Sequence, residues 1–208
     1  MVDIINLILL VILCVVFVRV SYWVYKRVVM LIKLRMLAKR FSGEMKLLRF
    51  PFLPNTLITS KPDISLKILD TVYLIRLYSG GTRYSMVHFA SEKFSVRCVK
   101  MASKFVAKGW RHSVIVDSAQ AFSVGAKVFV TPPMKIPDKS EYDGIRVEKI
   151  MLFNPAPNAV SYVTPEKTTI KLAFTGDVLF GMKIFTATSF VSYADRQTRK
   201  DDEFRYFV

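Results

Sequence analysis

Five cations set the first chemical question. Lys93, Arg97, Lys100, Lys104 and Lys108 recur at spacings of four, three, four and four, with Arg111 and His112 just beyond. On a helix this spacing gathers like charges on one side, where they weaken the helix unless something opposes them. No acid falls between Lys93 and Lys108. The stripe therefore reads as a ligand- or lipid-binding face for anionic headgroups or an acidic protein surface. The plainer reading is the solvated side of an ordinary amphipathic helix.

A second set, Lys26, Arg27, Lys33, Arg35, Lys39 and Arg40, follows directly on an apolar run, with no acid before Glu44. Lys26, Lys33 and Arg40 repeat every seven residues and share one side, while Arg35 and Lys39 lie on another. Near an anionic leaflet each such cation is worth about 1 kcal/mol, so the set reads as a juxtamembrane lipid contact. It reads equally as a stalk whose charges only set topology.

Compact catalytic signatures are missing. The sequence contains no G-x-S-x-G elbow, no phosphate-binding glycine loop, no C-x-x-C and no H-E-x-x-H. His88 and His112 are its only histidines, which excludes a His-rich metal site. No metal or other cofactor is expected. Cys14 and Cys98 read as small buried hydrophobes. His88 alternates with Val87 and Phe89 and reads as a partly exposed structural histidine. Asp138, Glu141 and Asp143 offer oxygen ligands, but their spacing misses the EF-hand pattern and favours a solvated loop. The Asp201-Asp202-Glu203 run balances Arg196, Arg199, Lys200 and Arg205 in a charged tail that is expected to fray.

These groups need elements to position them. Ile4 to Val18 is fifteen residues without a charge, and only Asn6 is polar. As a helix this run covers about 22 Å, and extension through Tyr25 brings it to about 33 Å, enough for the hydrocarbon core. Tyr22, Trp23 and Tyr25 suit the membrane interface, with apolar bodies and polar tips. A cleaved signal peptide is disfavoured, because the first residues carry Asp3 and no cation, and Arg19 stands where small residues belong. The cationic flank predicts an outside N-terminus and a cytoplasmic C-terminal domain in a single-pass cell-membrane protein.

The expected organisation is a transmembrane signal anchor over 1–25, a basic juxtamembrane helix over 26–42 and a β-rich basic domain over 43–208. Ser42-Gly43 is the stop between the last two. Seven of the 31 cations and one of the 16 acids lie in the first 42 residues, so the remainder carries a net charge of +9. A hydrophobic share of 52% excludes a disordered chain, and two cysteines exclude a disulfide scaffold.

Strand patterns dominate the domain. Thr71–Tyr78 and Arg83–Phe89 flank Gly80-Gly81 and predict a hairpin. Further strands are expected at Ser113–Val116, Lys127–Thr131, Ile145–Phe153, Ala159–Val163, Thr168–Phe174 and Leu179–Phe185. Lys135–Gly144 reads as a polar loop. Ser91 and Gly109 bound a stretch with Phe94, Cys98, Met101, Ala102 and Phe105 at spacings of three and four, which predicts one amphipathic helix over 91–108. A strand over Phe94–Cys98 competes with it. The fold class is therefore α+β, mostly β: an antiparallel sheet, as a sandwich or partly open barrel, with that helix packed on it.

Three functional classes fit these residues. The first is a membrane-anchored, non-enzymatic interaction or scaffolding module that turns a basic face to anionic lipid or an acidic partner. The second is a membrane-associated nucleic-acid binder, using the net charge with Tyr73, Tyr78, Tyr84 and Phe89 as stacking surfaces. The third is a membrane-tethered hydrolase or transferase whose site is assembled across strands. The first is preferred.

Overall fold

A computed structural model describes residues 2–80, 85–90, 93–98, 106–108, 113–115, 128–137, 142, 144–163 and 170–205. Its first element is one unbroken helix, α1, Val2–Arg40. No Gly or Pro interrupts it. It has two regimes. Residues 4–20 are exposed on every side, with no preferred face. Beyond them Arg27, Met30, Leu34, Leu37 and Ala38 are buried at helical spacing, so this half packs on the domain. The helix is long and apolar enough to cross a membrane. It ends as the sequence predicts. Ser42 takes a left-handed φ of 52°, and Gly43 N donates to Ala38 O at 2.8 Å. That is a Schellman turn.

Thirteen strands and a second helix follow among the described residues. They are β1 Glu44–Leu47, β2 Ile64–Ile68, β3 Thr71–Tyr78, β4 Ser85–Ala90, β5 Lys93–Cys98, β6 Val106–Lys108 and β7 Ser113–Ile115. After these come β8 Val128–Val130, β9 Arg146–Phe153, β10 Ala159–Val163, β11 Ile170–Ala173, β12 Val178–Leu179, β13 Met182–Thr186 and α2 Ala187–Arg205. One open sheet has the order β1-β2-β3-β9-β13-β12, the other β11-β10-β4-β5-β8, and β6 pairs with β7 apart from both.

Packing makes three layers. On one face of the first sheet Tyr73, Ile75, Leu77, Ile150, Leu152 and Phe185 meet Leu34 and Leu37 of α1 and Phe190 of α2. On its other face Val72, Leu74, Met151, Phe153 and Ile184 meet Val87, Phe89, Val160 and Ala173 of the second sheet. Covered on both sides, β3 is buried at all eight positions. Such a strand reads as a near-continuous apolar run, as Thr71–Tyr78 does.

Several expectations are corrected here. The sheets are mixed: β3 with β9, β9 with β13 and β4 with β10 are parallel pairs. The helix expected over 91–108 is replaced by strands at its described residues, β5 and β6. The two-residue period wins there, because Phe94 and Val96 lie opposite Phe89 and Val87 in the ladder. The hairpin about Gly80 does not form either. β3 and β4 belong to different sheets. Gly80 instead lies against a proline turn, where an added Cβ would sit 2.3 Å from Pro157 Cδ and 2.7 Å from Pro155 O. Its N–H donates to Pro155 O at 2.9 Å. The strand expected over Leu179–Phe185 is a tight hairpin, with Leu179 opposite Met182 and positive φ at Phe180 and Gly181.

The charged tail is also corrected, since it continues a regular helix to Arg205. Phe190, Ala194 and Thr198 are buried at spacings of four along it. Thr186 and Ser189 exchange bonds at its start, Ser189 Oγ accepting from Thr186 N at 2.9 Å and Thr186 Oγ1 from Ser189 N at 3.2 Å. This reciprocal capping satisfies donors that the helix itself leaves open.

Candidate functional site

The two helices run side by side away from the aromatic end of α1. Asn154, just past β9, donates from Nδ2 to Lys26 O at 2.9 Å. Further along, Arg40 Nη1 meets Asp195 of α2 at 3.0 Å. The carboxyl ends of β9 and β13 and the start of α2 therefore lie beside Lys26.

A cavity of about 100 Å³ opens at this point. Tyr22, Lys26 and Lys33 line it from α1, Asn154 from just past β9, Thr186 from the end of β13 and Thr188 from the start of α2. The Lys26 ammonium lies 5.3 Å from the centre of the Tyr22 ring. Two cations and the positive end of a 19-residue helix macrodipole thus converge on one space. Hydroxyl and amide groups on its walls supply hydrogen bonds. The chemistry suits a small anionic group.

The groove continues between the helices as a second space of about 360 Å³, lined by Lys33, Met36 and Arg40 with Thr188, Val191 and Asp195. Lys33 borders both spaces. The Arg40–Asp195 pair stands at the far end, and Asp195 also accepts from Arg199 Nε at 3.0 Å.

A cluster of buried charges gathers around Asp63. Asp63 accepts from Leu77 N at 2.7 Å and lies 3.4 Å from Arg49 Nη1. Arg27 and Arg76 are both buried. The guanidinium nitrogens of Arg27 have no hydrogen-bond partner among the described residues, and the group stacks 5.6 Å from the Trp23 ring centre. Burial lowers the Arg27 pKa to about 10, although the Asp63 charge opposes the shift.

Three comparisons, with protein-family models, curated proteins and solved structures, find no match to this chain. The site is accordingly read from its own residues.

The structure separates the cations that the sequence groups. Lys26 and Lys33 line the near cavity and Arg40 the far groove, which gives the seven-residue repeat a common neighbour in α2. Arg35 and Lys39 are exposed. Arg27 is withdrawn into the core. Tyr22 and Tyr25 are exposed, and Trp23 is half-buried. Of the other stripe, Lys93 and Arg97 lie on β5 at positions paired with Ala90 and Met86, and Lys108 pairs with Ser113. Lys100, Lys104, Arg111 and His112 lie outside the described residues, as do Asp138, Glu141 and Asp143. Among the described residues no group of acidic, His or Cys side chains is arranged to hold a metal. His88 is buried rather than partly exposed, with Nδ1 2.8 Å from Ser161 Oγ. Cys14 is exposed on α1.

Sequence reasoning missed Asn154, Thr186, Thr188 and Asp195. Single polar residues carry no pattern, so only Thr186 with Ser189 offered a signal, as a helix start. A further network was also missed. Glu148 accepts from Lys183 Nζ at 3.0 Å, Tyr193 Oη at 2.9 Å and Arg146 Nη2 at 2.7 Å. Burial raises the Glu148 pKa, but bonds from Lys183 and Tyr193 and the charges of Lys183 and Arg146 outweigh it and bring it below the usual value. Burial lowers the Lys183 pKa, yet its bonds to Tyr193 and Glu148 win and raise it. A lysine held as ammonium is a poor general base. The network clamps α2 to the sheet.

Proposed function

We propose that this is a single-pass membrane protein whose domain acts as an interaction module at the anionic inner leaflet. Residues 4–25 of α1 cross the bilayer, and the domain stands on the cytoplasmic side. The anionic headgroup of a lipid occupies the cavity between α1 and α2. One observation carries this reading: Lys26 and Lys33 converge on a cavity whose rim includes Tyr22, beside the apolar half of α1. Along α1, Lys26 stands about 5 Å beyond Trp23 and Lys33 about 15 Å beyond it. The headgroup region is about 5–8 Å thick on each side of the hydrocarbon core. Lys26 therefore lies at headgroup depth, and the long Lys33 side chain reaches down toward it. Arg40, a further ~10 Å out, lies about a Debye length beyond Lys33 and contributes little.

The test uses the full chain solubilised from membranes of mixed phosphatidylserine and phosphatidylcholine. Retained lipid is measured by mass spectrometry. The native chain is expected to retain phosphatidylserine preferentially. Lys26→Glu with Lys33→Glu should reduce that preference about tenfold or more, given about 1 kcal/mol for each cation and its reversal. Lys67→Glu with Lys200→Glu, at exposed positions toward the Arg40 end of the domain, should leave it unchanged. Equal retention by the cavity variant and the native chain contradicts the reading.

A further inference from the structure

The segment joining β1 to β2 presents apolar side chains that the domain does not bury. Phe50 is 65% exposed and Leu57 50%, and Leu47 and Leu48 are exposed beside them. The segment is nevertheless held firmly. Arg49 donates to Leu57 O at 3.0 Å and to Thr59 Oγ1 at 2.9 Å. Asn55 and Ser79 exchange bonds of 2.8 and 2.7 Å. Leu48 N and Arg49 N both donate to Asp63 O. Pro51 and Pro54 restrict the backbone between them. A loop fixed at this many points holds its apolar groups outward by construction. Exposed apolar patches of this kind mark contact surfaces.

Its position identifies the occupant. Phe52 meets Trp23 of α1 edge-on at 6.0 Å, and Phe50 meets Phe52 at 5.3 Å. Trp23 belongs to the aromatic end of the apolar half of α1. The patch is thus continuous with the surface that α1 exposes along residues 4–20. With α1 in a bilayer, a surface that adjoins its aromatic end lies at the level of the leaflet interface.

We infer that Leu47–Leu57 is a second membrane contact, in which Phe50 and Leu57 enter the interface of the leaflet that α1 crosses and seat the domain upon it. Two attachments fix the tilt of the domain, where one helix alone would let it pivot. The inference rests on α1 lying in a bilayer and not on the cationic cavity. It applies in neutral lipid, so the two readings fail separately.

The test places single tryptophans in the full chain, with Trp23→Phe and Trp110→Phe as background. Vesicles are phosphatidylcholine with brominated acyl chains, which quench tryptophan on contact. Phe50→Trp should be quenched as strongly as native Trp23 in a chain carrying only Trp110→Phe, with emission shifted to shorter wavelength. Leu57→Trp provides an independent second position. Lys67→Trp is the control: Gly43 abuts the Lys67 backbone, at the end of α1 about 25 Å from Trp23. It should remain unquenched. If positions 50 and 57 are quenched no more than position 67, the inference is overturned, whichever protein surface covers the loop instead.

Discussion

Phe190→Ala is expected to destabilise the domain by about 3–5 kcal/mol, the range for deleting a fully buried aromatic. Phe190 is wholly buried, with its ring 5.4 Å from Tyr73 and 5.8 Å from Phe185. It is the largest apolar side chain by which α2 reaches the layer between α1 and the first sheet. Its loss leaves the end of α2 that lines the cavity held mainly by Glu148, Lys183 and Tyr193. For a chain of this size the penalty corresponds to a fall in Tm of roughly 6–20 °C, measured on the detergent-solubilised chain. Phosphatidylserine preference should fall with it, since Thr188 moves with the helix. Val191→Ala, at a half-buried neighbour, should produce a smaller shift. A Phe190→Ala chain that melts with the native one would refute the packing of α2 described above.

Asp63→Ala should destabilise by about 2–4 kcal/mol, and Asp63→Asn by about 1 kcal/mol less. The contrast follows from the surroundings of Asp63. Burial raises its pKa above 3.8, and the Leu77 amide with Arg49, Arg27 and Arg76 only partly opposes the shift. The folded chain therefore holds the Asp63 proton more tightly than water does, and an amide keeps the acceptor for Leu77 N–H while giving up the charge that faces Arg49 and Arg27. Alanine removes the acceptor for Leu77 N–H, a buried donor on β3. The pH dependence has a definite sign. The folded state holds the Asp63 proton more tightly than the unfolded state. Its contribution to stability is full below the ordinary aspartate value and is lost as pH rises through the raised one. Asp63→Asn should remove that part of the profile. Denaturant titrations of the three chains across acidic pH provide the measurement, and equal losses for the Ala and Asn variants would contradict the argument.

Local chemistry was legible and long-range choice was not. The β-branched run Thr71–Tyr78 forms the strand that its composition predicts. Its partners are set elsewhere, because the close approach of Gly80 to Pro155 and Pro157 carries the chain into the other sheet. Gly80-Gly81 alone looks the same in a hairpin and in such a crossing. Between Ser91 and Gly109, plausible helix ends and three-to-four spacing outweighed a short alternation that the ladder to β4 in fact selects. Among the described residues of α2, Phe190, Ala194 and Thr198 mark the buried side, and the charges around them hide it.

The cationic site was half readable for the same reason. The repeat of Lys26, Lys33 and Arg40 lies within one helix, so their common side follows from spacing. The groups that face them, Asn154, Thr186 and Asp195, arrive from distant sequence through packing. Arg27 belongs by sequence with the other cations, yet the amphipathic turn beginning at Trp23 carries it inward. Only the burial of Met30, Leu34 and Leu37 on the same side distinguishes it.

The central claim is that the first half of α1 has lipid for its solvent. Cys14 tests this directly, because it is exposed on the apolar half of α1. In the Cys98→Ser chain reconstituted into vesicles, Cys14 should resist a water-soluble maleimide and react fully once the vesicles are dissolved and the chain is denatured. Labelling in intact vesicles at the rate of a free thiol would contradict the account.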